Sequence, residues 1–253
     1  MNRVGVAAAT VALTLAMGCS SPDDSASTLR VFAATSLGDL LSDLATAFQA
    51  DPGGAVVDDE VNVDINVAGS STLRLQLNEG ASADLFAPAS TEQLQLLDVG
   101  TVGEPTRFAT NRLVSAHRIG GPPIGIEQFT DTNLLLGACA PSVPCGAYAA
   151  AAFKAAGIEP ALDTEEPDVR SLASKVAEGE LDAGLVYATD VLADSRLAAV
   201  ELPSSVDVSV LDVTYPVAQL TDAAHPELAA AFIEFLTTAD ARSIIIAHGF
   251  GLP

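Results

Sequence analysis

Apolar and polar positions along the chain fall into repeated units of strand, short loop and helix. Leu29-Arg30-Val31-Phe32-Ala33-Ala34 is a short, mainly apolar run bounded by Thr35-Ser36. After it, Leu37, Leu40, Leu41, Leu44 and Phe48 recur at i, i+3, i+4, i+7 and i+11, one face of an amphipathic helix. Ser36 stands where an N-cap is wanted, Asp39 adds an acid to the first turn, and Asp51-Pro52-Gly53-Gly54 stops the helix. The second unit opens with the strict alternation of Val61 to Val67, passes through Gly69-Ser70-Ser71-Thr72, and continues to Glu79 with Gly80 as terminator. Leu73, Leu75 and Leu77 also alternate, so a strand is compatible with the periodicity. A serine cap, good helix formers and the closing glycine favour a helix. Ala83-Asp84-Leu85-Phe86-Ala87 reads as a third short strand.

The middle of the chain repeats the scheme. Leu134 to Ala138 is a buried-strand candidate, followed by CAPSVPC and an alanine-rich helix from about Ala147 to Ala156 that Gly157 ends. Pro167 suits the first turn of a helix running through Val176 and ended by Gly179, and Leu185-Val186-Tyr187-Ala188 is another buried strand. Pro226 to Leu236 and Ala239 to Ala247 read as two closing helices. Strands alternating with helices predict an α/β fold with mostly parallel sheets.

Charge and the N-terminus narrow the class. With 33 acidic residues against 11 basic ones the formal net charge is −22, so nucleic acid, which needs clustered Lys and Arg, is excluded as a partner. The same field repels anions at long range, and any anion must be held by local donors. The apolar run Val4 to Met17 is too short to span a bilayer and fits a signal-peptide core, predicting removal of residues 1–18. LAMGC resembles the lipobox of bacterial lipoproteins, although alanine takes the place where leucine is usual, and implies acylation of Cys19 ahead of a polar linker over residues 19–28. Plain secretion with a chance cysteine is the alternative. In an exported protein Cys139 and Cys145 are expected to pair and fix one loop. A metal site is the weaker reading, because two thiols fall short of a zinc ligand set and no histidine lies nearby.

Catalytic signatures are missing. GxSxG, HExxH, GxxxxGK[ST] and GxGxxG are absent, and His117, His225 and His248 lie in unrelated segments, where surface or satisfied histidines are the simpler reading. What recurs is a hydroxyl or free amide at the start of a helix: Ser36, Ser70 or Ser71, and Cys145-Gly146. Ordinary capping explains any one of them. Several together, each at the carboxyl end of a strand, describe an anion receptor built from neutral donors.

TLRVFAATSLGDLL, VAGSSTLRLQLNEGASADLFAPAS, APSVPCGAYAAAAF, EPDVRSLASKVAEGELDAGLVYATD, TYPVAQL and ARSIIIAHGFGLP, in order from Leu29 to Pro253, resemble the periplasmic molybdate-binding proteins of ABC importers, the ModA family. The resemblance implies a two-lobed periplasmic-binding-protein fold of type II, closing about a hinge over a tetrahedral oxyanion, with residues 29–108 plus 216–253 in lobe one and 109–215 in lobe two. It implies oxyanion binding by Ser36 and Ser70 through hydroxyl and amide, by Cys145 and Val169 through backbone N–H, and by the Tyr187 phenol. Cys139 replaces the acidic residue frequent in the family, and Cys145 replaces alanine. A bridge between them would hold the Cys145 amide in place. No cofactor is implied beyond the ligand, molybdate or tungstate, a dianion that only accepts hydrogen bonds. The implied partners are an ABC permease with its ATPase and, through the lipid, the outer face of the cytoplasmic membrane; the chain is expected to be monomeric and not an enzyme. A sulfate or other oxyanion receptor is the alternative within the class. An exported hydrolase using Ser36 or Ser70, and a surface interaction module without a small ligand, are the alternatives outside it.

Overall fold

A computed structural model describes residues 27–52, 61–204, 206 and 213–253. The signal segment, Cys19 and most of the proposed linker lie outside the described residues. Two five-stranded sheets form two lobes. The first contains β1 (Ser27–Ala34), β2 (Val61–Ala68), β3 (Leu85–Ala87), β4 (Thr101–Asn111) and, from the far end of the chain, β10 (Val213–Leu220), in the order β2-β1-β3-β10-β4. The second contains β5 (Leu113–Arg118), β6 (Leu136–Cys139), β7 (Thr164–Glu166), β8 (Ala183–Tyr187) and β9 (Leu197–Glu201), in the order β7-β6-β8-β5-β9.

The two orders are the same topology. In each sheet three parallel strands are joined, through one reversed strand, to a fourth running their way, and the reversed strand is β10 in one and β5 in the other. In chain order each reversed strand is the first strand after a change of lobe, β5 after β4 and β10 after β9. β4 runs to Asn111 and β10 starts at Val213, past the divisions at 108/109 and 215/216 expected from the sequence.

The helical face foreseen in the first unit is the packed one. Leu37 closes a 3-10 turn (Thr35–Leu37), and Leu40, Leu41, Leu44 and Phe48 of α1 (Gly38–Ala50) are at most 1% exposed. Each such side chain contributes about 1.5–3 kcal/mol of burial. Phe48 meets Phe232 of α7 (Pro226–Phe235) edge to face at 5.0 Å, closing α1 onto the C-terminal helices, of which α8 (Ala239–Ala247) is the last. The alternation of Val61 to Val67 belongs to an edge strand, β2, with one face half-buried and the other exposed. Asp84 ties the lobe together. Buried ahead of β3, it accepts from Arg30 N–H of β1 (2.8 Å) and from His225 N–H at the head of α7 (2.9 Å).

The remaining helices are α2 (Ser70–Asn78), α3 (Thr91–Gln95), α4 (Pro144–Ala156), α5 (Val169–Glu178) and α6 (Ala188–Ala193). Gly157 and Gly179 end α4 and α5 in the left-handed conformation, as their positions foretell. Three expectations need correction. Pro167 lies outside α5, whose N-cap is Asp168. Ser36 and Ser70 cap nothing, since the cap positions are Ala34 and Leu37 in one case and Gly69 in the other. His117 is buried on β5 with Nδ1 unpartnered among the described residues, and burial lowers its pKa. Among the described residues no helix is long and apolar enough to cross a membrane.

Candidate functional site

Six strand ends converge between the lobes. In the first lobe the parallel strands β1, β2 and β3 deliver Ser36, Ser70 and Ala89; in the second, β6, β7 and β8 deliver Cys145, Val169 and Tyr187. All six residues line one small cavity of about 20 Å³. It therefore brings together every binding residue expected from the sequence. Ala89 was not foreseen; its only signal is a place just beyond a third parallel strand.

The cavity is rich in donors. Ser70 is the first residue of α2, Cys145 the second of α4 and Val169 the first of α5, positions whose N–H groups have no intrahelical partner. The Ser70 oxygen accepts from Ala89 N–H at 3.1 Å, and the Ser36 oxygen accepts from the Tyr215 hydroxyl at 3.1 Å, so each serine keeps its own proton to offer. Tyr187, 1% exposed, has a hydroxyl with no partner among the described residues. Burial holds its phenol well above the ordinary range, keeping it a protonated donor. The one acidic residue on the wall, Asp168, accepts through Oδ1 from Ser171 N–H and through Oδ2 from Ser171 Oγ–H, both at 2.9 Å.

Cys139 at the end of β6 and Cys145 in α4 form the expected disulfide, with Cα atoms 5.6 Å apart. Behind it Gly146 is pressed onto Ala140: a Cβ at Gly146 would lie 1.9 Å from the Ala140 carbonyl oxygen. The amide of Cys145 is thus held from both sides.

Several contacts join the lobes around the cavity. Ser71 Oγ–H donates to Ser142 O at 2.8 Å, Arg170 pairs with Asp39 at 2.9 Å, and Asn111 Nδ2–H donates to Thr189 Oγ1 at 2.8 Å. Ser71, read from sequence as a cap, is one of these bridges. A second interlobe cavity of about 220 Å³ adjoins Ser36 and is walled by Asp39, Arg170, Asp190 and His248. A larger groove of about 560 Å³ lies between α4 and the 157–162 segment, on mainly apolar side chains such as Phe153 and Leu162, and has no comparable convergence of donors.

Asp190 accepts from Tyr187 N–H at 3.1 Å, and burial pushes its carboxyl up to about 7 despite that bond and nearby Arg170. Between pH about 4 and about 7 the folded state keeps a proton that the unfolded chain has lost. Its contribution to stability therefore falls as pH rises through this window and levels off above it. Asp190→Asn keeps an oxygen for Tyr187 N–H and removes the titration. In urea titrations its stability relative to the parent is expected to rise by about 1–3 kcal/mol from pH 5 to pH 8, allowing for a half-buried site. Equal differences at both pH values would refute this assignment.

The family model described as "Bacterial extracellular solute-binding protein" matches residues 29–251. The molybdate-binding protein ModA of Mycobacterium tuberculosis H37Rv is 36% identical over 98% of this chain and 96% of its own length. The putative ABC transporter substrate-binding lipoprotein YvgL of Bacillus subtilis is 27% identical over 96% of this chain and 95% of its own. Among solved structures, the Azotobacter vinelandii periplasmic molybdate-binding protein aligns with a TM-score of 0.75 over 89% of this chain and 99% of that one, at 20% identity, a likeness of fold.

Proposed function

Because the chain belongs to the ModA family of bacterial extracellular solute-binding proteins, we propose that it captures molybdate or tungstate between its lobes and delivers the anion to an ABC permease. The observation that carries this reading is the convergence of Ser36, Ser70, Cys145, Val169 and Tyr187 on one small cavity, with the Tyr187 hydroxyl buried and unpartnered among the described residues. Each group is a neutral donor, and a fully deprotonated dianion presents only acceptors. The reaction is binding and release, without bond chemistry. The sheet of β1, β2, β3, β4 and β10 lies on one side of the cavity and that of β5 to β9 on the other, so an anion held from both sides favours closure.

The N-terminal segment and Cys19 fit an exported chain held by lipid at the outer face of the membrane, as the name of the Bacillus relative suggests for that protein. Calorimetric titration of the mature protein with molybdate, tungstate, sulfate and hydrogenphosphate tests the reading. Molybdate and tungstate are expected to bind tightest, and tighter binding of sulfate or phosphate would overturn the assignment of ligand.

A further inference from the structure

A hydroxyl accepts as readily as it donates, so a pocket of serines prefers a proton-free anion only if something sets the direction of their hydrogen bonds. For Ser70 that is the backbone N–H of Ala89, which can only donate. For Ser36 it is a chain of side chains at the hinge. We infer that Asn111 and Tyr215, neither of which lines the cavity, fix Ser36 as a one-way donor and thereby set the preference for oxyanions that carry no proton. The inference rests on the anion-binding reading above.

The chain can be followed proton by proton. Arg112 N–H donates to Asn111 Oδ1 at 2.9 Å, which fixes the face of the amide. Its Nδ2 then has hydrogens for Thr189 Oγ1 at 2.8 Å and for the Tyr215 oxygen at 3.4 Å. Tyr215 is fully buried and burial raises its phenol pKa, so it keeps its proton. With its oxygen accepting from Asn111, that proton goes to Ser36 Oγ, its one acceptor at hydrogen-bonding distance among the described residues. The proton of Ser36 is left for the cavity. Asn111 ends β4 and Tyr215 lies in β10, the two strands at the lobe crossings, while Thr189 belongs to the second lobe. The bond to Thr189 thus ties the head of the relay to the second lobe.

Molybdate accepts at every oxygen. Hydrogenphosphate carries the same charge at pH 8 but has one P–OH that must donate. The test measures the ratio of the hydrogenphosphate and molybdate dissociation constants at pH 8, by displacement, for the parent, Tyr215→Phe and Asn111→Asp. Tyr215→Phe keeps the ring on Phe250 (5.4 Å) and Tyr187 (6.3 Å) but frees Ser36. Asn111→Asp reverses the chain: Tyr215 donates to the new carboxylate, Ser36 donates to Tyr215, and the lone pairs of Ser36 turn into the cavity. The added negative charge acts on both dianions alike and cancels in the ratio.

The ratio is expected to narrow about tenfold or more in Asn111→Asp, the effect of one hydrogen bond reversed, and less in Tyr215→Phe. A purely structural role would weaken both anions equally. With molybdate still bound, a ratio unchanged in both variants overturns the relay alone, as does failure of millimolar hydrogenphosphate to displace molybdate from Asn111→Asp. A parent protein that binds neither anion overturns the binding reading and the relay with it.

Discussion

Tyr187→Phe is expected to raise the melting temperature of the anion-free protein while weakening molybdate binding by about ten- to a hundredfold, the span of one hydrogen bond to a charged group. The two effects have one cause. The Tyr187 hydroxyl is sealed in the cavity wall without a partner among the described residues, and a buried polar group left unpaired costs about 1–3 kcal/mol. Phenylalanine removes that cost and keeps the edge-to-face contacts with Tyr148 and Tyr215 at 6.5 and 6.3 Å. It also removes a donor for which the dianion offers an acceptor. Scanning calorimetry and titration calorimetry on the same sample decide the matter. A lower melting temperature, or molybdate affinity equal to that of the parent, would count against a hydroxyl held ready for the ligand.

Gly146→Ala is expected to destabilise the fold by about 3–5 kcal/mol, at the severe end of single substitutions. The new methyl would sit 1.9 Å from the Ala140 oxygen, 2.4 Å from its carbonyl carbon and 2.6 Å from the Cys139 oxygen. These are backbone atoms, and they cannot retreat easily. Cys139 and Ala140 belong to the ring closed by the disulfide, and Ala140 N–H is bonded to Glu166 O at 2.8 Å. Relief must come from moving the head of α4, which carries the Cys145 amide out of the cavity wall. Urea unfolding should show the lost stability, and molybdate affinity should fall with it. A soluble variant with a midpoint like the parent's would mean that the loop yields where its hydrogen bonds and disulfide say it should not.

Much of the fold was legible where contacts are local. The i, i+3, i+4 spacing of Leu37 to Phe48 names the buried face of α1 directly, and the glycines after α4 and α5 mark their ends. The reversed strands were not legible. β10 pairs with β4 from more than a hundred positions away, and β4, with Gly103 and Pro105 in it, has neither clean alternation nor an apolar run. The site divides in the same way. Helix starts beyond strands pointed to Ser36, Ser70 and Cys145, but the direction of the Ser36 hydrogen bond depends on Tyr215, 179 positions along the chain. No local pattern reports the state of that proton. Serine favours helix caps; here turn geometry gives that position to other residues and leaves the hydroxyl protons of Ser36 and Ser70 to face the cavity.

The place of β10 also sets an order of assembly. It is not an edge strand; it lies between β3 and β4, and through it alone β4 joins its sheet. The second lobe is one continuous stretch and has all five strands once residue 201 has been synthesised. The first lobe, though it begins earlier, stays a three-stranded fragment with β4 detached until residues 213–220 arrive. The chain therefore matures from its middle outward. The half that emerges first is finished last, and the cavity cannot close until residues 213–220 have taken their place in the first sheet.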